Sequence, residues 1–204
     1  MRSIDVKLVA ITGGIGSGKS VVASVVQVMG YQVYDCDQQA RRLMTDDPVV
    51  RQQLVESFGP GVYREGGSID RQYLSGVAFS DDESLSRLNG IVHPATINDM
   101  SRWAKEQSAA GAKIAFVETA LLRTAGMERL MDSVWHVTAP SQVRIGRVME
   151  RSGLTAQQVV ARMEAQAAEE TVMHGEEVVV NDDVTAVLPQ VIRLINKLLT
   201  ENKQ

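Results

Sequence analysis

The sequence predicts an α/β fold in which a parallel five-stranded sheet carries helices on both faces. Five short β-rich runs alternate with longer helical stretches, and such alternation is typical of parallel sheets. A glycine-rich segment, Gly13–Ser20, separates the first strand from the first helix. Because sheets of this class bind ligands outside the carboxyl ends of their strands, we expect the functional residues to follow the strands.

Each strand is predicted from a short apolar run that is rich in β-branched or aromatic residues. Polar residues such as aspartate, glutamate and asparagine follow three of these runs. The five runs are Val6–Ile11, Tyr31–Tyr34, Ile114–Val117, Ser133–Thr138 and Val178–Val180.

At 204 residues the chain fits a single domain, residues 1–204, with an inserted lobe. The interval 40–111 is mainly helical in pattern and too long for a simple crossover, so we interpret it as that lobe. Gly59–Gly61 and Gly66–Ser68 mark a loop or hairpin within it. The last helical stretch, Val187–Leu199, has the periodicity of an amphipathic helix.

Residues 140–166 read as two polar helices with an irregular place at Arg151–Thr155 between them. Arg144, Arg147 and Arg151 lie three and four residues apart, so they share one helix face. A basic face of this kind either lies near phosphate groups or is solvated surface.

Composition excludes several classes of protein. The net charge of −4, with both signs mixed along the chain, argues against DNA or another nucleic acid as partner. The single cysteine, Cys36, excludes an intrachain disulfide and suits a reducing compartment. No apolar stretch is long enough to span a membrane, and no signal-peptide pattern precedes the first strand. We therefore expect a cytoplasmic protein, and the sequence leaves its oligomeric state open.

The segment Gly13–Ser20 spells G-x-x-x-x-G-K-[ST] between a strand and a helix. Its glycines let successive backbone N–H groups point at an anion, and the helix N-terminus adds a positive dipole end. Lys19 can reach the β- and γ-phosphates of a nucleotide, and the Ser20 hydroxyl can hold Mg²⁺. The expected nucleotide-binding residues here are Gly14, Ile15, Gly16, Ser17, Gly18, Lys19, Ser20 and Val21.

Asp35 and Asp37 follow the second strand, two residues apart. On an extended backbone their side chains point to the same side. Beside a phosphate-binding loop, one carboxylate can orient Mg²⁺-bound water while the other accepts a hydroxyl proton. The alternative is a solvated acidic turn.

Further motifs occur in order along the chain. They are D-x-D-x-x-A-R from Asp35 to Arg41, the Phe58–Phe79 stretch with Asp70-Arg71, the pair His93-Pro94, the residues Arg147, Arg151 and Arg162–Gln166, and Asn181. On these residues and the glycine-rich loop the chain resembles the dephospho-CoA kinase family over nearly its whole length. The resemblance implies a three-layer P-loop kinase fold with a helical CoA-substrate lobe at 40–111 and a lid at 140–166.

The resemblance also implies an activity: transfer of the γ-phosphoryl group of ATP, with Mg²⁺, to the ribose 3′-hydroxyl of dephospho-CoA. The implied catalytic residues are Asp37 as general base, Lys19 and Arg147, with Asp35 as the second choice of base. Arg147 and Asn181 are implied to bind the nucleotide. The implied contacts to the acceptor substrate are Asp35, Asp37, Arg41, Arg71 and His93.

Several of these residues also have a purely structural explanation. Because His93 precedes Pro94, the pattern favours a turn over a helix there, and a lone histidine is often structural. Local contacts would explain three more residues: an ion pair of Arg41 with Asp46 or Asp47, an ion pair of Arg71 with Asp70, and an Asx-type turn of Asn181 with Asp182.

The segment Glu118–Thr124 departs from the family, which commonly shows P-L-L-F-E there. Ala120 stands in place of the proline and Thr124 in place of the glutamate. Arg123 puts a charge where the family is often aromatic. Any role of that family glutamate therefore does not transfer to this chain.

Other functions compete with this interpretation. The first is another small-molecule kinase of the same fold, acting for example on a nucleoside monophosphate or shikimate. A regulatory GTPase would need an N-K-x-D segment, whereas Asn196-Lys197 is followed by two leucines. The altered segment leaves room for a non-catalytic ATP-binding module, although the loop and both aspartates are intact.

Overall fold

The computed structural model describes residues 5–200. They form two compact units. One unit combines the chain up to Tyr34 with the chain from Ala104 onward, and the other is Asp35–Trp103. None of the helices within the described residues is long and apolar enough to cross a bilayer.

The five predicted strands are present and form one sheet, which confirms the predicted fold class. Its order is β2-β3-β1-β4-β5, and the pairs β1–β3, β1–β4 and β4–β5 are parallel. The chain therefore leaves β1 towards one side of the sheet and later returns to the other, which makes the end of β1 a switch point. The strands are β1 (Lys7–Thr12), β2 (Val33–Asp35), β3 (Ile114–Glu118), β4 (Ser133–Thr138) and β5 (Glu177–Val180).

Helices connect the strands. Two short 3-10 helices, Pro60–Val62 and Glu128–Leu130, lie between the longer elements. The α-helices are α1 (Lys19–Val28), α2 (Cys36–Asp46), α3 (Pro48–Phe58), α4 (Arg71–Ala78), α5 (Asp82–Ala109), α6 (Ser141–Ser152), α7 (Ala156–Ala165), α8 (Ala167–Glu170) and α9 (Val187–Thr200). The predicted tail helix and the predicted irregular place between two helices, here α6 and α7, are confirmed.

The main core of the first unit lies between one face of the sheet and the helices α1 and α9. Phe116 of β3 and Trp135 of β4 stack edge to face on this side of the sheet, with ring centroids 5.0 Å apart, although β1 lies between their strands. Alternate strand residues on the other face, such as Ala10 and Val117, are fully buried as well. Both faces are therefore covered, as a parallel sheet of apolar strands requires.

The second unit is helical and has its own apolar cluster, which includes Leu54, Val62 and Leu74. An isolated antiparallel bridge between Tyr63 and Ile69 brackets the second glycine-containing segment, Gly66–Ser68, of the predicted loop or hairpin. Aspartates cap α2, α3 and α4 in this unit, because Asp35, Asp47 and Asp70 accept backbone N–H groups at the start of these helices.

The turn predicted at His93 is wrong, because the residue lies inside α5 and Pro94 is within the same helix. An interior proline costs a helix about 3 kcal/mol through the lost backbone bond and crowding. The apolar side chains of Leu88, Ile91 and Ala95, on either side of Pro94, pack against the apolar cluster of this unit. Their burial outweighs the local preference, and the helix continues.

Candidate phosphate-binding site

The glycine-rich loop joins β1 directly to α1, at the switch point of the sheet. Gly18 closes the loop in the left-handed conformation with φ 88°, which glycine adopts without steric cost. A Cβ on Gly18 would overlap Nδ2 of Asn181, and a Cβ on Gly13 would overlap the carbonyl oxygen of Val137. The loop thus lies tightly against β4 and the residue that follows β5, and both positions require glycine.

The ammonium group of Lys19 lies against the backbone of this loop. Nζ donates to the carbonyl oxygen of Gly13 at 2.7 Å and to that of Gly14 at 3.4 Å. Lys19 is also the first residue of α1, where the dipole of that helix has its positive end. The cation and the helix terminus act at the same place, which is the electrostatic requirement for binding phosphate.

Ser20 is the candidate protein ligand for Mg²⁺. It lies in the first turn of α1 and is exposed. Across residues 5–200 no group of three or more His, Cys, Asp or Glu side chains could hold a metal ion. A lone hydroxyl suits Mg²⁺ when phosphate and water oxygens supply most of its ligands, as they do beside a nucleotide. The donor set therefore fits Mg²⁺ together with nucleotide phosphates.

Arg147 of α6 brings a further cation to the loop. Its Nη1 lies 3.4 Å from the carbonyl oxygen of Gly16 and 3.5 Å from that of Ser17. Its Nη2 pairs with Asp183 and lies 3.5 Å from Oδ1 of Asn181. The side chain remains 26% exposed, so the guanidinium keeps access to solvent beside the loop.

Asn181 holds the loop from the end of β5. Its backbone N–H donates to Thr138 at 2.8 Å, and its side-chain Nδ2 donates to the carbonyl oxygen of Ser17 at 3.1 Å. The amide is buried and bound to protein, so its reading of adenine stays a prediction. The Asx-type turn in this region is made by Asp182, whose Oδ1 accepts the N–H groups of the residues two and three positions later.

The helical spacing predicted that Arg144 lies on a face that is solvated or free to bind phosphate, and this is wrong. The side chain of Arg144 is 8% exposed and lies under the loop. Nε donates to the carbonyl oxygen of Ile15 at 2.9 Å, and both Nη atoms pair with Glu170. Arg151, in the last turn of the same helix, is exposed. The basic face is therefore interrupted, because the loop covers one end of it.

The two aspartates lie where β2 passes into α2, in the second unit. Asp35 is the N-cap of α2, and its Oδ1 accepts the N–H of Gln38 at 2.9 Å. Asp37 is exposed in the first helical turn, one helical turn before Arg41. The inference that both carboxylates share a side of an extended strand is wrong, because the helix begins at Cys36, between them.

Two other predicted substrate contacts lie on helices of the second unit. His93 is half-buried on α5, and Arg71 is the exposed first residue of α4. Asp70 pairs with Arg64 at 3.0 Å and also caps α4. The hydrogen bond from Arg64, with that from the N–H of Tyr73, lowers the pKa of Asp70.

A buried charged cluster behind β4 was missed by the sequence reasoning. The buried Glu169 accepts the backbone N–H groups of Arg123 at 3.0 Å and of Thr124 at 2.7 Å. The Arg123 side chain pairs with Glu176, whose Oε2 lies 3.3 Å from Nδ1 of His136. Carboxylates in α8 and just before β5 thus fix the segment Glu118–Thr124, which departs from the family. The sequence signal for the cluster was Arg123 itself, a charge in an apolar run.

Burial lowers the pKa of His136 from its ordinary value of 6.5. The carboxylate of Glu176 opposes this effect, whereas the charge of Arg123 adds to it. The imidazole, which is a buried side chain of β4, is therefore mainly neutral at pH 7.

Comparison with known families agrees with this geometry. The family model described as dephospho-CoA kinase matches residues 7–187. A dephospho-CoA kinase from Porphyromonas gingivalis is 36% identical over 195 residues, which cover 95% of each chain. One from Corynebacterium glutamicum is 37% identical over 175 residues, covering 86% of this chain and 90% of the relative.

Solved structures give the same picture of the fold. TT1252 from Thermus thermophilus superposes with a TM-score of 0.77 at 33% identity, covering 98% of this chain and 99% of the other. The dephospho-CoA kinase from Campylobacter jejuni gives a TM-score of 0.70 at 20% identity, covering 96% of this chain and 98% of the other. At that lower identity the likeness concerns the fold alone.

Proposed function

Because the chain belongs to the dephospho-CoA kinase family, we propose that it transfers the γ-phosphoryl group of ATP to the ribose 3′-hydroxyl of dephospho-CoA. The product is coenzyme A, and the reaction is the final step of coenzyme A biosynthesis. The observation that carries this conclusion is the family match over residues 7–187. The phosphate-binding loop lies within that match, and its backbone, Lys19 and Arg147 converge on one place.

In this reaction the bond from the γ-phosphorus to the oxygen of ADP breaks, and a bond to the 3′-oxygen forms. The hydroxyl proton must leave as the new bond forms, since the protonated oxygen is a poor nucleophile. We assign its acceptance to Asp37, whose exposed carboxylate in the first turn of α2 is accessible to a substrate. Asp35 has one oxygen engaged as the helix cap and is the second choice.

Charge neutralisation is the other requirement of phosphoryl transfer. The loop amides, Lys19 and Arg147 are the proposed groups for the phosphates, and Ser20 is the proposed ligand of Mg²⁺. When bound beside a nucleotide, that ion neutralises phosphate charge. Arg41, Arg71 and His93 are proposed contacts to the acceptor, with residues 40–111 as its lobe and 140–166 as the lid. A cytoplasmic location is proposed as well, and the partners are the two small-molecule substrates.

The experiment is a coupled assay of ADP release, with dephospho-CoA compared against nucleoside monophosphates, shikimate and simple sugars. We expect turnover with dephospho-CoA to exceed that with any other acceptor by orders of magnitude. A better rate with a different acceptor would transfer the proposal to another kinase of this fold. ATP binding without turnover of any acceptor would favour a non-catalytic module.

The role of Asp37 is tested in the same assay. Asp37→Asn keeps the shape of the side chain but not its ability to take a proton, so turnover should fall at least a hundredfold, the usual size of such catalysis, which is about 2.7 kcal/mol of barrier. Affinity for ATP should stay within a few-fold. The matched control is Asp46→Asn, an exposed aspartate at the other end of α2. Equal turnover in the two variants would remove Asp37 from the mechanism.

A further inference from the structure

The carbonyl oxygen of Ile15, inside the phosphate-binding loop, has a charged partner that none of the predicted functional residues supplies. Nε of Arg144 donates to it at 2.9 Å. Arg144 comes from α6 and is buried, so this bond is partly shielded from water. A buried side chain thus binds the loop backbone from the side of α6.

Glu170 fixes the orientation of that arginine. Oε2 of Glu170 accepts from Nη1 of Arg144 at 2.7 Å, and Oε1 accepts from Nη2. This bidentate pair is the geometry in which a guanidinium is best defined. With both Nη atoms on the carboxylate, the remaining Nε–H points to the loop carbonyl.

The loop lies in close contact with this pair. A Cβ on Gly14 would overlap both the carboxylate of Glu170 and the guanidinium of Arg144. A Cβ on Gly16 would lie 2.7 Å from the carbonyl oxygen of Arg144. Gly14 thus lies directly against the Arg144–Glu170 pair, and Gly16 lies directly against the backbone of α6. A shift of Arg144 towards the loop would therefore meet the loop backbone.

We propose that Arg144 and Glu170 are positioning residues that hold the phosphate-binding loop in the shape that receives the phosphates of ATP. This deepens the proposed function, on which its catalytic consequence rests. Neither side chain is assigned a contact with substrate. Their effect passes through the backbone at Gly14–Gly16, so it should appear in the affinity for ATP and its KM rather than in the KM for the acceptor.

The test separates loop geometry from general stability. Arg144→Met should weaken ATP binding by at least tenfold and also lower the melting temperature, because Glu170 is left without its partner. The pair is largely buried, with the side chains of Arg144 and Glu170 8% and 24% exposed, and replacing such a pair by apolar residues is often neutral for stability. The double variant Arg144→Met, Glu170→Met should therefore recover the melting temperature to within a few degrees of wild type, while ATP binding stays weak.

Affinity for ATP and ADP is measured by calorimetry well below the melting temperature of each variant, with Arg193→Gln as an exposed arginine control on α9. Recovery of ATP affinity together with stability in the double variant would overturn the proposal, since Arg144 would then only neutralise Glu170. Wild-type affinity in Arg144→Met would overturn it as well.

Should either methionine variant fail to fold, Glu170→Gln keeps the size of the side chain and leaves Arg144 in place beside Ile15. It removes the charge that orients the guanidinium, so we expect a loss of ATP affinity of about three- to fivefold, and unchanged affinity would overturn the role of the pair. Binding is measured without acceptor. A wild-type protein that binds ATP but does not phosphorylate dephospho-CoA would contradict the proposed function and leave this binding test intact.

Discussion

Gly18→Ala tests whether Asn181 sets the shape of the loop. The substitution has two costs. The alanine must adopt φ 88°, which costs about 1–2 kcal/mol for a residue with a Cβ. Its Cβ would also overlap Nδ2 of Asn181, so the asparagine must withdraw from the carbonyl oxygen of Ser17. Leaving such a buried group without its hydrogen bond costs about 1–3 kcal/mol. The expected loss of unfolding free energy is therefore about 2–5 kcal/mol.

A matched control isolates the second cost. Gly30 also has a positive φ, of 94°, but a Cβ there meets nothing within 4 Å. Gly30→Ala should therefore lose only the conformational part, about 1–2 kcal/mol. In an Asn181→Ala background the overlap is gone, so Gly18→Ala should cost no more than Gly30→Ala does. ATP affinity should fall with Gly18→Ala and stay unchanged with Gly30→Ala.

The assay is urea unfolding of the four variants, followed by fluorescence, together with calorimetric titration of ATP. The coupling between positions 18 and 181 is the difference between the cost of Gly18→Ala with and without the asparagine. If Gly18→Ala costs the same in both backgrounds, the contact with Asn181 does not constrain the loop and the reasoning is refuted.

Three further predictions concern individual charged or titrating groups. Lys19→Ala should lower turnover by far more than tenfold, or ~1.4 kcal/mol of barrier, with little change in melting temperature. The control is Lys105→Ala, at an exposed lysine, which should leave both turnover and melting temperature unchanged. A loss of turnover below tenfold in Lys19→Ala would exclude the proposed role of Lys19. Asp35→Asn keeps a side chain that can cap α2, so the melting temperature should stay at the wild-type value. The Mg²⁺ concentration needed for half-maximal rate should rise. An unchanged Mg²⁺ titration would show that Asp35 does not act on the metal. Because burial lowers the pKa of His136, the unfolded chain binds the extra proton first as the pH falls. The free energy of unfolding should therefore be intact above pH ~6.5 and should fall as the pH drops through the folded-state pKa. In urea unfolding, His136→Gln should show a smaller fall between pH ~7.5 and ~5.5 than the wild type, and parallel curves for the two proteins would contradict this.

The positions of the strands were accessible from the sequence because each is a short apolar run bounded by turn or polar residues. Ser133–Thr138 was predicted with the bounds that the structure has, and Val6–Ile11 differs by one residue at each end. The loop at 13–20 was accessible because its glycine spacing and its place between a strand and a helix depend on local geometry. Such local signals survive folding when burial and propensity agree.

Two features were decided only by tertiary structure. Helix α5 runs through His93 and Pro94 because burial of neighbouring apolar side chains outweighs the local preference of proline. Arg144 and Arg147 look equivalent by helical spacing, yet Arg144 is buried beneath the loop on Glu170. Spacing along a helix defines which residues share a face, but not what covers each part of it.

The sequence by itself determined the order of the strands along the chain, the phosphate-binding loop and its lysine. These depend on residues that are neighbours in the chain, whose conformations follow from propensity and glycine geometry. The contacts of the loop with Arg144 and Asn181 join residues more than a hundred positions apart. Such contacts arise only when the strands assemble in the order β3-β1-β4-β5. That assembly decides which charged side chains, such as Arg144, are buried. The free energy of burying a charge depends on its ion-pair and hydrogen-bond partners, and these partners are distant in the sequence.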